Sequence, residues 1–348
     1  MLLVGIAALV LAVVLALFVR ELGRGGGDAL PSAHRDEDGD DEEMTMIGRS
    51  PAQVEKLRAV DSAVLPNLFD AEDPYSETTD GGESVLMQFD SDEIALDEPT
   101  APRARIAVAS AVHTDVGKKR SRNEDNHLIL QDQGLFVVAD GMGGYAAGDV
   151  ASKIAVDSIL ESFRTKSFNG KANTARPRRG NELVWAIQGA NAAVYEAAKS
   201  SADYEGMGTT LVSAKFSVRK KRLYIGHVGD SRCYRSRGNK LKQLTKDHTL
   251  AESGVTGKYS QNLSRALGIS RRVKVDLVVD APEPGDVYVV CSDGLSKMLT
   301  DAEISTIIDS APDIDAGVKS LVAAANAHGG KDNITVILIR VMEPSGHA

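Results

Sequence analysis

Hydrophobic positions fall into three regimes along this chain. From Leu2 to Val19 no charged residue occurs. At a rise of about 1.5 Å per residue, a helix of that length nearly spans a bilayer's hydrocarbon core, so residues 1–22 are predicted to form a transmembrane anchor. A secretory signal would carry a basic leading region and a clean small-residue cleavage site, and neither is found. Arg20, Arg24 and Arg35 all follow the run, which by the positive-inside tendency predicts a single-pass membrane protein with its catalytic domain in the cytoplasm.

The second regime, residues 23–102, is rich in Gly, Asp, Glu, Ser and Pro, and no segment of it has enough apolar surface to repay ordering. It is expected to be an acidic disordered linker. One part mixes apolar with acidic residues, Val85-Leu86-Met87-Gln88-Phe89-Asp90 followed by Ile94-Ala95-Leu96-Asp97. A passive tether is the expectation there rather than a docked segment.

In the third regime, residues 103–344, short apolar runs alternate with turn residues. Strands are predicted at Ile106–Val112, Asn126–Leu130, Leu135–Ala139, Thr210–Val218, Leu223–Val228, Ser231–Arg235, Lys274–Val279, Val287–Cys291 and Ile334–Val341. Helical spacing appears at Val150, Ile154, Ile159 and Phe163, and again at Leu183, Ile187, Ala190 and Val194. A third helix is expected to start at Thr300, whose spacing to Glu303 suits a capping box; a fourth runs from about Ile314 to Gly329-Gly330. Between the first two helices, residues 164–180 read as a basic surface loop with Lys166, Lys171, Arg176, Arg178 and Arg179. Short turns between strands imply antiparallel pairing, and the mixture predicts a layered α+β domain.

Charge refines this picture. The net charge is −9, but between Asp36 and Thr100 there are 20 acidic residues and three basic ones, so the rest of the chain is net positive. A mildly basic domain suits an anionic substrate; it lacks the dense basic and aromatic interleaving of a nucleic-acid binder, and no nucleic-acid partner is expected. Cys233 and Cys291 lie in apolar strand-like runs without metal-ligand spacing and are expected to be small buried residues.

The candidate chemistry sits at strand ends. Leu135-Phe136-Val137-Val138-Ala139 reads as a strand buried on both faces, and it delivers Asp140 and then Gly141-Met142-Gly143-Gly144 to the edge of a core. Asp230, Asp293 and Asp332 also flank apolar strand runs, and Glu124-Asp125 precedes another. Antiparallel neighbours bring such residues to one edge. Clustered carboxylates repel one another, whereas hard divalent cations require oxygen-rich sites, and without His or Cys at ligand spacing the cluster favours Mg²⁺ or Mn²⁺ over zinc. Arg120, four residues before Glu124, supplies a planar guanidinium suited to phosphate. No Gly-x-x-x-x-Gly-Lys-Ser/Thr motif and no Asp-x-Asp nucleophile at Asp140-Gly141-Met142 occurs, which excludes P-loop and haloacid-dehalogenase chemistry.

A series of motifs then identifies a resemblance. Thr114-Asp115-Val116-Gly117, Arg120-x-x-Asn123-Glu124-Asp125, Ala139-Asp140-Gly141-Met142-Gly143-Gly144, Met207-Gly208-Thr209-Thr210, Gly229-Asp230-Ser231-Arg232, Ser264-Arg265-Ala266-Leu267-Gly268, Cys291-Ser292-Asp293-Gly294-Leu295 and Lys331-Asp332-Asn333 resemble, in order, the bacterial form of the metal-dependent protein phosphatase family, type 2C. The resemblance covers residues 106–341. It implies a sandwich of two antiparallel β-sheets flanked by α-helices, and a phosphoserine/phosphothreonine protein phosphatase that uses two Mn²⁺ or Mg²⁺ ions with a third, more labile one. By similarity, Asp140 bridges two ions, Glu124 and the Gly141 carbonyl serve one, Asp293 and Asp332 hold the other, Asp125 acts through water, Asp230 is tied to the third, and Arg120 binds phosphate. A hydroxide bridging the ions would attack directly, with no phosphoenzyme. A Ser/Thr protein kinase, or its substrates, is the implied partner. This chain departs from the family in two places. Met142 stands where eukaryotic relatives have a proton-donating His, and the segment from Thr249 to Ser264 is shorter than the usual bacterial flap.

Overall fold

The computed structural model describes residues 105–143, 147–170 and 173–344, together with the backbone of 85–87. The expected membrane anchor and nearly all of the expected linker lie outside the described residues; among those described, no helix is long and apolar enough to cross a membrane.

Among the described residues, twelve strands form two sheets. In chain order they are β1 (Val85–Met87), β2 (Ala107–Asp115), β3 (Asp125–Leu130), β4 (Leu135–Met142), β5 (Gly208–Thr209), β6 (Leu211–Ser217), β7 (Arg222–Val228), β8 (Arg232–Arg237), β9 (Lys240–Gln243), β10 (Asp276–Asp280), β11 (Val287–Cys291) and β12 (Ile334–Met342). One sheet has the order β1-β2-β12-β11-β8-β9 and the other β10-β7-β6-β4-β3, with β5 pairing the end of β4; every pair is antiparallel. Five α-helices complete the described residues: α1 (Ala147–Arg164), α2 (Arg178–Ser200), α3 (Asp293–Ser296), α4 (Asp301–Ser310) and α5 (Ile314–Ala327).

Alternation along β4 explains the layering. Leu135, Val137 and Ala139 face α1 and α2 in one apolar cluster, whereas Phe136 and Val138 point between the sheets, so a continuous apolar run is buried on both faces. A third cluster packs α4 and α5 on the outer face of the other sheet. Four layers result, helices on both outer faces of a sheet sandwich. At its centre Phe216 makes edge-on contacts with Phe136 at 5.9 Å and, across the sheets, with Tyr288 at 5.6 Å between ring centroids. Phe216→Ala is expected to cost about 3–5 kcal/mol in a urea unfolding curve, because the rings around the cavity belong to two sheets that cannot collapse onto it.

Helix signals behave as their chemistry requires. Thr300 accepts from the Glu303 backbone while the Glu303 side chain accepts from the Thr300 N–H, a full capping box at the start of α4. Cys233 and Cys291 are buried and free.

Three features differ from the sequence reading. Val85–Met87, expected within a passive tether, pairs with Ser110, Ala109 and Val108 as the edge strand β1. The physical reason is the ladder of β2, whose outer N–H and C=O groups would otherwise form an open sheet edge. Arg178 and Arg179, placed in a basic loop, form the first turn of α2 behind Pro177, where both donate to Glu182 at 2.9 and 3.0 Å. Strand β4 also runs two residues past Asp140, because β5 pairs Gly141 and Met142.

Candidate metal centre

Five chain segments meet at one edge of the sandwich. Asp125 opens β3 and lies directly opposite Asp140 on β4. Asp293 follows β11, and Asp332 precedes its antiparallel neighbour β12. Asp230 sits in the turn between β7 and β8, one strand in each sheet. The edge therefore collects carboxylates from both sheets, as the antiparallel argument expects.

The backbone around them is tightly fixed. Gly141 N–H donates to the Glu124 carbonyl at 3.1 Å, and a Cβ at Gly141 would stand 2.0 Å from the Gly148 carbonyl oxygen. Only glycine fits there. Gly117 has φ +79° and lies so close to the Asp332 backbone that a Cβ would fall 2.2 Å from its carbonyl oxygen. Asn333 ties the edge together: its side chain accepts from Glu124 N–H at 2.8 Å and donates to the Val116 and Arg122 carbonyls at 2.9 and 2.8 Å. The Asp140 carbonyl accepts from Thr210 N–H at 2.9 Å and from the Thr209 hydroxyl at 2.8 Å.

Arg120 spans the mouth. Its guanidinium donates to Asp332 at 2.9 Å and lies 3.8 Å from Glu124, with 47% of the side chain exposed. A cleft of about 850 Å³ opens beside it, bordered by Glu124, Asp140, Gly141, Asp230, Asp293 and Asp332 among others. The structure thus brings all eight sequence-derived site residues, Arg120, Glu124, Asp125, Asp140, Gly141, Asp230, Asp293 and Asp332, to one edge. Asp125 lies behind the others, buried, with its Oδ2 accepting from Ser292 at 2.7 Å.

Electrostatics match the crowding. Burial, then Asp125, Asp293, Asp230 and Asp332, push the Asp140 pKa well above the usual carboxylate range. Burial raises Asp125 to about 7, against the hydrogen bonds from Thr335 and Ser292 that favour its charged form. Burial raises Glu124 and Asp230 as well; Asp293 adds to the rise at Asp230. Such a site favours protons or another positive charge. Two of its buried oxygens, Oδ1 of Asp125 and Oδ1 of Asp293, have no hydrogen-bond partner.

Two arrangements were not legible in the sequence. Lys297, one turn after Asp293, reaches Asp230 at 3.2 Å and also bonds Asp293. Burial works against its charge, but the two carboxylates outweigh that and raise its pKa. Its i, i+4 spacing from Asp293 was the available signal. The other arrangement supports the Gly229-Asp230 turn: Gly229 N–H donates to His248 Nδ1 at 3.1 Å, which places the ring proton on Nε2, 3.2 Å from Asp276 Oδ2. Arg265 donates to the other Asp276 oxygen at 2.8 Å. The Arg232 guanidinium donates to both Asp247 oxygens, at 2.9 and 2.7 Å, so the Thr245-Lys246-Asp247-His248 stretch braces this turn.

His127 is a strand residue of β3 whose pKa is lowered by burial. The short segment from Thr249 to Ser264 holds one 3₁₀ turn, Ala251–Ser253, and closes on itself by a Thr249–Leu263 bridge.

A two-sheet sandwich carrying a carboxylate edge and a guanidinium at its mouth defines the class of metal-dependent phosphoprotein phosphatases. Comparison with known proteins agrees with that class. The chain belongs to the protein phosphatase 2C family, whose profile matches residues 115–332. It is 37% identical to the serine/threonine phosphatase stp of Listeria welshimeri over 65% of this chain and 93% of that one. Its fold resembles the serine/threonine phosphatase PstP/Ppp of Mycobacterium tuberculosis, with a TM-score of 0.59 and 31% identity over 69% of this chain and all of that one. A structure of the PstP catalytic domain in complex with two manganese ions has a TM-score of 0.58 and 32% identity, over 68% of this chain and 99% of that one.

Proposed function

We propose that this chain is a membrane-anchored phosphoserine/phosphothreonine protein phosphatase whose catalytic domain works in the cytoplasm and opposes a Ser/Thr protein kinase. The observation that carries the enzymatic reading is the meeting of six carboxylates, Glu124, Asp125, Asp140, Asp230, Asp293 and Asp332, with the Arg120 guanidinium at one sheet edge. The residues fit a pair of hard divalent ions, because two buried carboxylate oxygens there lack any donor. In this reading Asp140, Glu124, the Gly141 carbonyl, Asp293 and Asp332 would hold two Mn²⁺ or Mg²⁺ ions between them. Asp125 acts through water. When bound, the ions would supply an acidified water and positive charge at the phosphoryl oxygens.

The chain's own residues supply orientation. Arg120 is half exposed and anchored by Asp332, so it offers its remaining N–H groups to two phosphate oxygens. Met142 lies at the end of β4 and carries no proton to give to the leaving oxygen. The apolar run Leu2–Val19, followed by arginines, supports the anchor and its orientation.

Mn²⁺-dependent release of phosphate from a phosphothreonine peptide tests this function. Arg120→Ala should lower kcat/KM about 10- to 100-fold, the worth of lost hydrogen bonds to a charged group, and should raise KM more than it lowers kcat. Turnover that is unaffected by a chelator would sink the two-ion reading. Recovery of the protein in the soluble fraction after cell lysis would sink the anchor alone.

A further inference from the structure

Lys297 belongs to the centre, and the catalytic reading gives it no role. It caps the one-turn helix α3, where its backbone N–H donates to the Asp293 carbonyl at 2.8 Å, and that turn folds its side chain back over the carboxylate edge. The ammonium bonds Asp293 Oδ2 and lies 3.2 Å from Asp230 Oδ2. It therefore joins the carboxylate that follows β7 in one sheet to the carboxylate that follows β11 in the other. Asp230 and Asp293 are only 6% and 11% exposed, whereas Lys297 is 48% exposed, so the lysine approaches from the solvent side.

The pairing divides the two oxygens of Asp293. Oδ2 is taken by Lys297, and Oδ1 is buried without a partner, free for an ion on the inner side. Glu124 and Asp332 pair with Arg120 instead of the lysine. A divalent ion lodged between Asp230 and Asp293 would need the oxygens the ammonium holds, and would meet a like charge at contact distance. Formal charge leads to the same conclusion. Six carboxylates face Arg120 and Lys297, so two divalent ions bring the edge to neutrality. Without the lysine, one negative charge remains for a third.

We propose that Lys297 is a tethered third cation. Its ammonium occupies the outer Asp230–Asp293 pair, so the centre is complete with two divalent ions and takes no third. This rests on the two-ion reading of the site, and it concerns a side chain that acts by positioning carboxylates and excluding a cation.

The test is a Mn²⁺ titration of the full-length protein, followed calorimetrically and by the electron paramagnetic resonance of free Mn²⁺. The wild type is expected to bind two ions. Lys297→Met is expected to bind a third at least about tenfold more tightly than any third event in the wild type, as removal of an adjacent like charge implies. Lys297→Arg should restore the wild-type count, and Asp230→Asn placed in the Lys297→Met protein should abolish the added site. Thermal unfolding of each variant shows that the fold is retained. Three ions in the wild type, or only two in Lys297→Met, would overturn the proposal while leaving the metal-centre reading standing. Absence of Mn²⁺ binding in both proteins would overturn this proposal together with the metal-centre reading.

Discussion

Asp140→Asn is expected to abolish Mn²⁺-dependent phosphate release, with kcat falling about 10³-fold or more, because it removes the charge shared by both proposed ions. The substitution is nearly isosteric. The Asp140 carbonyl keeps its bonds from Thr209 and Thr210, and the strand keeps its pairing to β3 and β6. The fold should therefore survive, and the metal-free variant should melt at or above the wild-type temperature. Relief of repulsion from Asp125, Asp293, Asp230 and Asp332 is the reason. Saturating Mn²⁺ should then raise the melting temperature of the wild type far more than that of the variant. Phosphate release within tenfold of wild type would remove Asp140 from the centre of the mechanism. A lower melting temperature in the metal-free state would show that its carboxylate is stabilised by something other than a cation.

The same residue shows how the sequence discloses a site of this kind. Five apolar residues followed by Asp-Gly place a charge at the end of a doubly buried strand, and three other strand runs do the same. Period and polarity suffice for that inference, since antiparallel strands have only two edges to which their ends can go. The sequence is equally informative at Thr300, where a four-residue cap motif is a local device with a local partner. Strand boundaries were less well marked. The extension of β4 through Met142 depends on β5, a two-residue strand with too little pattern to be seen. Strand β9, Lys-Leu-Lys-Gln, is a polar edge strand defined by its ladder with β8. Val85–Met87 carries no periodicity, and its pairing is decided by the open edge of β2 more than 20 residues along the chain.

Long-range polar networks were the least legible. Lys297 and Asp230 are 67 positions apart, and a lysine on an exposed turn has the sequence signature of ordinary solvation. His248, Asp276 and Arg265 come from three separate segments, and their common purpose, holding the turn that presents Asp230, exists only after β7 and β10 have paired. Arg178 and Arg179 were misplaced for a related reason: Pro177 begins a helix as readily as it continues a loop, and Glu182 within the first turn decides between them.

The carboxylate edge also has a consequence for stability, and Mn²⁺ is expected to reverse it. Asp125 has its pKa raised from 3.8 to about 7, chiefly by burial, so its folded form holds a proton that the unfolded chain releases near pH 4. A carboxyl raised in this way contributes stability that is fully present below the unfolded value and is lost as pH rises through the folded one. Between about pH 4 and pH 7 the metal-free protein should therefore lose stability relative to an Asp125→Asn variant, which can still accept from Ser292. At pH 7.5 the variant should melt several degrees higher, on the scale of about 1 kcal/mol for every few degrees in a domain of this size. Divalent ions bind the deprotonated edge, so free Mn²⁺ at about 1,000 times its dissociation constant should add roughly 4 kcal/mol per ion at pH 7.5. At pH 5 the gain should be much smaller, because protons compete for the raised carboxylates. Thermal unfolding with Mn²⁺ and with a chelator, at both pH values, measures the reversal. Equal stabilisation by Mn²⁺ at pH 5 and pH 7.5 would mean that the ions bind somewhere other than this edge.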